Sequence, residues 1–251
     1  MKRIEFLKSP MDIATMGETV SFIEQRVEQG QFLQHVVVNV AKIVNMQKDP
    51  LLAESVNACE VINIDGMGVV FGARLLGHDV PERVAGVDLF HELLKMSAKR
   101  EFPVFLLGAT EEVVTTTAEK VQGLYPNLTI AGYNDGYFFG NKEGEDEEAV
   151  VNKIRESGAK LLFVAITSPK KENFINKWQD KLGVDFVMGV GGTFDVVAGK
   201  VNRAPQWMQK YGLEWFYRVL QEPGRMWKRY LVTNSTFAWL LIKEKLRKVL
   251  R

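Results

Sequence analysis

The chain has 251 residues, of which 46% are hydrophobic and 25% are charged. This composition excludes a disordered or fibrous protein and is sufficient for one large hydrophobic core. The formal net charge of only +1 argues against a nucleic-acid-binding protein.

Short apolar runs rich in β-branched residues predict strands, and helical patterns separate them. The runs are 35–40, 60–64, 103–108, 128–132, 161–167 and 186–191. Near-continuous apolar strands are typical of a parallel sheet that is covered on both faces. Helix starts are indicated by Asp49-Pro50 and by Thr110 followed by two glutamates. The alternation predicts a doubly wound, mostly parallel, Rossmann-like α/β domain over residues 1–200.

Two segments depart from this alternation. The acidic run 143–148 is interpreted as a solvated loop that enters the next helix. From residue 201 onward the strand pattern stops, and residues 201–251 are predicted to form a basic, aromatic helical appendage with a break near Pro223-Gly224.

The charge of the appendage differs in sign from that of the rest of the chain. Residues 200–251 contain 12 Lys or Arg and 3 Asp or Glu, whereas the preceding residues contain 20 and 28. Four of the five tryptophans also lie here: Trp207, Trp215, Trp227 and Trp239. Cations attract anionic lipid and aromatic side chains favour the membrane interface, so we expect the appendage to contact an anionic membrane surface. A packed helical pair with a solvated basic face, or a homo-oligomer contact, is the alternative.

The same sequence predicts where the protein resides. The single cysteine, Cys59, cannot form an internal disulfide, and its apolar neighbours predict a buried structural thiol. The amino terminus lacks the apolar core of a signal peptide, and no stretch approaches the ~20 apolar residues of a membrane-spanning helix. We therefore expect a cytoplasmic protein, peripheral on the inner face of the plasma membrane.

Ligands of open parallel sheets bind beyond the carboxyl ends of the strands, so the residues that follow each predicted strand are site candidates. They are Asn39, Asp65-Gly66, Gly108, Gly132, Thr167-Ser168 and Gly191-Gly192. The glycines are explained equally well by ordinary strand-to-helix turns. Asp65 is compatible with a helix cap and with a general base, and these two readings stay open at this point.

Metal and dinucleotide chemistry find little support. The histidines His35, His78 and His91 are scattered, and no two aspartates are separated by a single residue. The glycines near Asp195 lack the spacing of a Walker loop or of a dinucleotide fingerprint. We expect neither a metal nor a cofactor.

Several segments, taken in order over roughly residues 30 to 230, resemble the WecG/TagA/CpsF family of bacterial glycosyltransferases. They read VNVAKIVNMQKD, INIDGMGVVFG, PERVAGVDL, FLLGAT, GYF, SPKKE, VGGTFDVVAGKVNRAP and GLEWFYRVLQEPGRMWKRY. The resemblance implies transfer of an N-acetylmannosamine-type or related sugar from a UDP-sugar to an undecaprenyl-diphosphate-linked sugar. It also implies inversion at the anomeric carbon without a metal.

The resemblance also implies roles for individual residues. Asp65, in NIDG, would be the general base that deprotonates the acceptor hydroxyl, and Arg83, in PERVAG, would contact the diphosphate. Substrate-binding residues would be Asn39, Gly108, Lys171 and Asp195, the last of them near the nucleoside. A metal-free UDP leaving group would be stabilised by cations of the appendage, namely Arg218, Arg225, Lys228 and Arg229.

Two departures from the family pattern leave the transferred sugar open. Many members have threonine where this chain has Val37, and glutamine where it has Lys171. A donor with glucose, galactose or a uronic acid is therefore one alternative. A catalytically idle nucleotide-binding module that docks on a membrane is the other, although the presence of Asp65 and Arg83 favours an enzyme.

Overall fold

The structure is a computed structural model that describes residues 1–139 and 146–250, without the side chains of Arg225 and Val249. The strands are β1 (Lys2–Phe6), β2 (Ser9–Ile13), β3 (Leu33–Val38), β4 (Val61–Ile64), β5 (Val104–Gly108), β6 (Ile130–Asn134), β7 (Leu161–Ala165) and β8 (Phe186–Gly189). The helices of the amino-terminal half are α1 (Met16–Glu28), α2 (Val40–Met46), α3 (Pro50–Asn57), α4 (Met67–Leu75), α5 (Gly86–Arg100) and α6 (Glu111–Leu124). The remaining helices are α7 (Glu147–Glu156), α8 (Lys170–Trp178), α9 (Thr193–Ala198), α10 (Gln206–Lys210), α11 (Glu214–Gln221) and α12 (Pro223–Val249).

The strands form one 8-stranded sheet in the order β1-β2-β4-β3-β8-β7-β5-β6. Only the β1–β2 pair is antiparallel among the described strands, and all other neighbours run parallel. Helices cover both faces, which confirms the predicted doubly wound, mostly parallel α/β fold.

The core lies on both faces of the sheet, as the alternation along the central strands shows. Val104 and Leu106 of β5 enter the cluster that contains α1, α5, α6 and α9. Phe105 and Leu107 of the same strand point to the opposite face, against α7 and α8. On that second face the apolar core is divided, because a separate cluster around α2, α3 and α4 covers β3 and β4.

The six predicted strands correspond to β3 through β8, with ends shifted by a few residues. The hairpin β1–β2 was not predicted from the sequence. Its turn residues, Leu7 and Lys8, adopt φ values of 51° and 65°, a conformation usually signalled by glycine or asparagine. Pro10 inside β2 also weakens the strand pattern, and it is tolerated in the hairpin with β1 near the edge of the sheet.

The predicted helix starts are confirmed by their caps. The Asp49 carboxylate accepts a hydrogen bond of 3.0 Å from the Leu52 N–H, and the Thr110 hydroxyl accepts one of 3.3 Å from the Val113 N–H. Residues 143–145 of the acidic run lie outside the described part of the chain. Asp146, the next residue, caps α7 by accepting a hydrogen bond from the Ala149 N–H.

The C-terminal residues are helical as predicted, and α11 gives way to α12 at Pro223. Helix α12 packs on α2 and α4 through Phe237, which is 5% exposed and lies 6.1 Å from the Phe6 ring. A Cβ at Gly72 of α4 would lie 3.1 Å from Phe237 and Leu241, so glycine permits this close approach. The appendage is therefore joined to the hydrophobic core of the α/β domain.

Replacing Phe237 tests this attachment. Phe237→Ala should lower the free energy of unfolding by about 3 to 5 kcal/mol, because the truncated side chain leaves a cavity between α12 and α4. Trp239→Ala is the matched control, since its ring is 58% exposed on the same helix, and it should change the stability by about 0.5 kcal/mol or less. Urea unfolding measures both, and equal small effects would contradict the attachment.

Candidate active site

The carboxyl ends of the parallel strands meet at one edge of the sheet. The helix that follows β3, α2, packs on one face, whereas the helix that follows β8, α9, packs on the other. Since β3 and β8 are neighbours and their connections diverge, the boundary between them is the usual ligand position in such sheets.

Asp65 directly follows β4 and is fixed by backbone contacts. Its N–H donates to the Val38 carbonyl at 2.8 Å, and the N–H of Gly86 donates to its carboxylate. Burial raises the pKa of Asp65 to about 6, although the positive charge of Arg83 opposes this shift. The helix that follows has Gly66 at its N-cap and no side-chain cap, so the cap reading of Asp65 is not the one observed.

Arg83 links this part of the edge to the C-terminal helices. Its guanidinium forms an ion pair with Glu214, the first residue of α11, and donates a 3.3 Å hydrogen bond to the Gln209 amide oxygen. The Arg83 side chain is only 12% exposed. Residues of α10 and α11 thus fix the arginine whose charge acts on Asp65.

A second arginine, Arg203, lies in the same charged group. It donates two hydrogen bonds to the Asp88 carboxylate, at 2.5 and 2.7 Å, in a bidentate pair. This contact lowers the pKa of Asp88 and, with the nearby charges of Glu214 and Asp65, raises that of Arg203. We call Asp65, Arg83, Asp88, Arg203 and Glu214 the aspartate cluster.

A separate charged group lies where α2 meets α8, and we call Lys42, Lys171, Glu172 and Arg229 the lysine cluster. Glu172 Oε1 accepts from Lys42 Nζ at 2.7 Å and pairs with Lys171 Nζ at 2.8 Å. Burial and the neighbouring Lys42 lower the pKa of Lys171 to about 8, and Arg229 of α12 acts in the same direction. Burial raises the pKa of Glu172, but the two lysines outweigh burial and hold it below its usual range.

The lysine cluster is fitted closely against the sheet. A Cβ at Gly189 of β8 would lie 2.7 Å from Lys171 Cε, so the absence of a side chain there gives the lysine its path across the strand. Lys171 thus extends over β8, one of the two strands at the boundary where the connections diverge.

Three further predicted substrate-binding residues have structural roles that the geometry defines. Asn39 follows β3 and caps α2 by accepting from the Lys42 N–H at 3.0 Å. Gly108 ends β5 with φ of +120°, and a Cβ there would lie 2.6 Å from the Ala165 backbone. Asp195 is in the first turn of α9, beside Gly192. All three are at the carboxyl edge, and their contact with substrate stays a prediction.

The predicted cations of the appendage are distributed unevenly around the site. Arg218 of α11 lowers the pKa of Asp65, and Arg229 of α12 belongs to the lysine cluster. Lys228 is exposed on α12. The side chain of Arg225 lies outside the described part of the structure.

Sequence reasoning missed the partners of the predicted residues. Glu214 and Arg203 stood in motifs that were noted, GLEWF and VNRAP, but neither was assigned a role. Lys42 was missed although it lies three residues after Asn39, the position whose N–H donates to the side chain of a helix cap. Within residues 1–139 and 146–250, no three His, Cys, Asp or Glu side chains are grouped as a metal site would require.

Comparison with known proteins identifies the class of protein to which the chain belongs. The model of the glycosyl transferase WecG/TagA/CpsF family matches residues 4–251, which include the C-terminal helices. The chain belongs to this family, so it is a glycosyltransferase, and the resemblance noted in the sequence is confirmed.

Two similar relatives are bacterial enzymes with the same name, N-acetylglucosaminyldiphosphoundecaprenol N-acetyl-beta-D-mannosaminyltransferase. The protein of Bacillus subtilis (strain 168) is 39% identical over 184 residues, which are 73% of this chain and 69% of the relative. The protein of Bacillus spizizenii (strain ATCC 23059 / NRRL B-14472 / W23) is 32% identical over 231 residues, which are 92% of this chain and 86% of the relative.

The raised pKa of Asp65 predicts a stability effect. The fold disfavours the Asp65 carboxylate, so Asp65 lowers stability above about pH 6 and has no such effect below its unfolded pKa of about 3.9. Asp65→Asn should therefore raise the free energy of unfolding by about 1 to 3 kcal/mol near neutral pH. The gain should shrink as the pH falls from about 6 to about 4. Thermal unfolding across this range measures it, and a destabilised variant at neutral pH would count against a buried, catalytically poised carboxylate.

Proposed function

We propose that this glycosyltransferase moves an N-acetylmannosamine-type sugar from a UDP-sugar donor to a sugar linked to a polyprenyl diphosphate, in the synthesis of a cell-surface polysaccharide or teichoic-acid-type polymer. The names of the two relatives support the transferred sugar and the lipid-linked acceptor. The observation that carries the proposal is Asp65, a carboxylate with a raised pKa at the carboxyl edge beside Arg83.

In the proposed reaction, Asp65 accepts the proton of the acceptor hydroxyl as its oxygen attacks the anomeric carbon. A pKa of about 6 leaves the carboxylate ionised near neutral pH while making it a stronger base than an ordinary aspartate. The new bond joins the acceptor oxygen to the anomeric carbon, and the bond between that carbon and the diphosphate breaks. A single displacement of this kind inverts the configuration.

The departing UDP carries the negative charge that must be stabilised. Arg83 and Arg203 are each fixed by a carboxylate from a distant part of the chain, and Arg218 is close enough to act on Asp65. Fixed guanidinium groups stabilise developing phosphate charge without reorganisation during the reaction. We therefore propose that these cations, rather than a divalent metal, neutralise the leaving group.

A donor screen in excess chelator tests the proposed reaction. The protein, a short-chain lipid-diphosphate acceptor and each of several UDP-sugars are incubated with EDTA, and products are identified by mass. We expect transfer of an N-acetylhexosamine that persists in EDTA. Asp65→Asn should lower turnover by about 10² to 10⁴-fold, because it removes the general base.

The control for this screen is Asp79→Asn, which changes an exposed carboxylate in the loop after α4 and should leave turnover near that of the parent. Activity lost in EDTA and restored by magnesium would refute the metal-free mechanism. UDP binding without transfer of any sugar would favour the idle nucleotide-binding module. Transfer of glucose, galactose or a uronic acid would change the identity of the donor sugar and leave the rest of the proposed reaction intact.

We also propose that the C-terminal helices dock the enzyme on the inner, anionic surface of the plasma membrane. They expose large aromatic side chains, including Trp207 at 57%, Tyr211 at 66% and Trp227 at 54%. Such exposed apolar groups among cations mark an interaction surface, and a lipid-linked acceptor requires proximity to the bilayer. No helix within the described residues is long and apolar enough to cross the membrane.

A double substitution tests this docking. Trp207 lies in α10, and Tyr211 is the residue at its C-cap. Trp207→Ser combined with Tyr211→Ser removes both exposed rings. We expect about tenfold weaker binding to anionic liposomes, with little loss of transfer to a water-soluble acceptor. Tyr133→Ser, at a 40% exposed ring on β6, is the control. Unchanged liposome binding together with a smaller oligomer would show that the surface is a homo-oligomer contact.

A further inference from the structure

The buried part of the lysine cluster, Lys42, Lys171 and Glu172, contains one more cation than its carboxylate balances. The side chains of Lys42, Lys171 and Glu172 are 8%, 7% and 3% exposed. Both ammonium groups contact the same oxygen, Glu172 Oε1, and the exposed guanidinium of Arg229 adds a further positive charge nearby. A buried ion pair held only for structure needs one lysine for one carboxylate, because each extra buried charge costs several kcal/mol. The second ammonium therefore indicates an anion that comes from outside the chain.

Glu172 provides an independent sign that the cluster receives a ligand. Its second oxygen, Oε2, is buried and has no hydrogen-bond partner within the described structure. Buried carboxylate oxygens are rarely left without a donor. A ligand that satisfies the cluster must therefore offer an anionic oxygen to the lysines and an O–H or N–H to Glu172.

The cluster lies at the boundary between β3 and β8. Lys42 follows Asn39 on α2, after β3, and Lys171 extends over Gly189 of β8, so the two lysines come from either side of the β3–β8 boundary. The apolar core on this face is divided into two clusters at the same boundary. Buried charged side chains thus interrupt the apolar core where a doubly wound sheet binds its ligand.

We infer that the lysine cluster binds the diphosphate of a substrate, with Lys171 contacting a phosphate oxygen and Glu172 Oε2 accepting a hydrogen bond from the attached sugar. The inference rests on the proposed function, since a sugar diphosphate combines the required anion with a neighbouring O–H or N–H. Both proposed substrates, the UDP-sugar and the lipid-linked sugar, contain this group.

The protonation state of Lys171 should make the affinity for diphosphate depend on pH. With a pKa of about 8 when the site is empty, Lys171 is charged near pH 7 and mostly neutral near pH 9. A bound anion favours the charged form, so affinity should fall as the pH rises through this range. Lys42, Glu172 and Arg229, the other charged groups that face Lys171, come from α2, α8 and α12.

The experiment measures binding of three probes by calorimetry at about pH 7 and about pH 9. The probes are UDP, inorganic pyrophosphate and a short-chain prenyl diphosphate sugar. Lys171→Gln should weaken binding of the diphosphate that occupies the cluster about tenfold near pH 7 and abolish most of the difference between the two pH values. Lys171→Arg should retain affinity and lose the pH dependence. Lys177→Gln, which changes an exposed lysine at the far end of α8, is the matched control.

The probes separate the two sources of the diphosphate. Weaker binding of UDP assigns the cluster to the donor, and weaker binding of the prenyl diphosphate sugar alone assigns it to the acceptor. Binding of pyrophosphate and prenyl diphosphate sugar, but not UDP, by the parent protein would refute the proposed donor and leave the inference standing. Equal affinities and equal pH dependence of parent and Lys171→Gln, for all probes, would overturn it.

Thermal unfolding of the same variants excludes a purely structural role. If Lys171 served only to stabilise the fold, Lys171→Gln would lower the melting temperature and leave diphosphate affinity unchanged. We expect the reverse, because removing an excess buried charge relieves desolvation.

Discussion

A sheet covered by apolar helices on both faces leaves few places for charged groups, and this constraint shapes the candidate site. The central strands are buried on both sides, so an ionised side chain along them would lose its hydration without compensation. Charge is tolerated at the carboxyl edge, where strands end and helices diverge. Asp65 and Lys171 both lie there, and their pKa values shift toward neutrality because each is still largely buried.

The C-terminal helices, which carry the proposed membrane surface, are also part of this edge. Glu214 fixes Arg83, and Arg229 adds charge to the lysine cluster. Phe237 joins the same segment to the hydrophobic core. Deletion of the segment would therefore disturb folding together with the proposed catalysis and membrane binding, and only point substitutions separate the three. The match of the family model through residue 251 agrees with a single functional unit.

The sequence predicted the elements whose signal is local and missed the contacts whose partners are distant. The parallel strands were recognisable from continuous apolar runs, and Asp65 and Arg83 from short motifs. The hairpin was missed because Leu7 and Lys8 adopt positive φ without the usual glycine or asparagine. Glu214 lies 131 residues from Arg83, and Glu172 lies 130 residues from Lys42. Pairing over such separations is set by the order of the strands, which no single segment encodes.

The two shifted pKa values define the conditions under which both charged groups have the form that the proposed reaction requires. A general base must be deprotonated, which holds for Asp65 above about pH 6. A phosphate-binding ammonium must be protonated, which holds for Lys171 below about pH 8. Burial raises the pKa of Asp65 and lowers the pKa of Lys171. The same physical cause therefore narrows, from both ends, the pH range in which both groups are ionised. This pH range includes neutral pH. There Asp65 is ionised and is a stronger base than an ordinary aspartate, while Lys171 is still protonated.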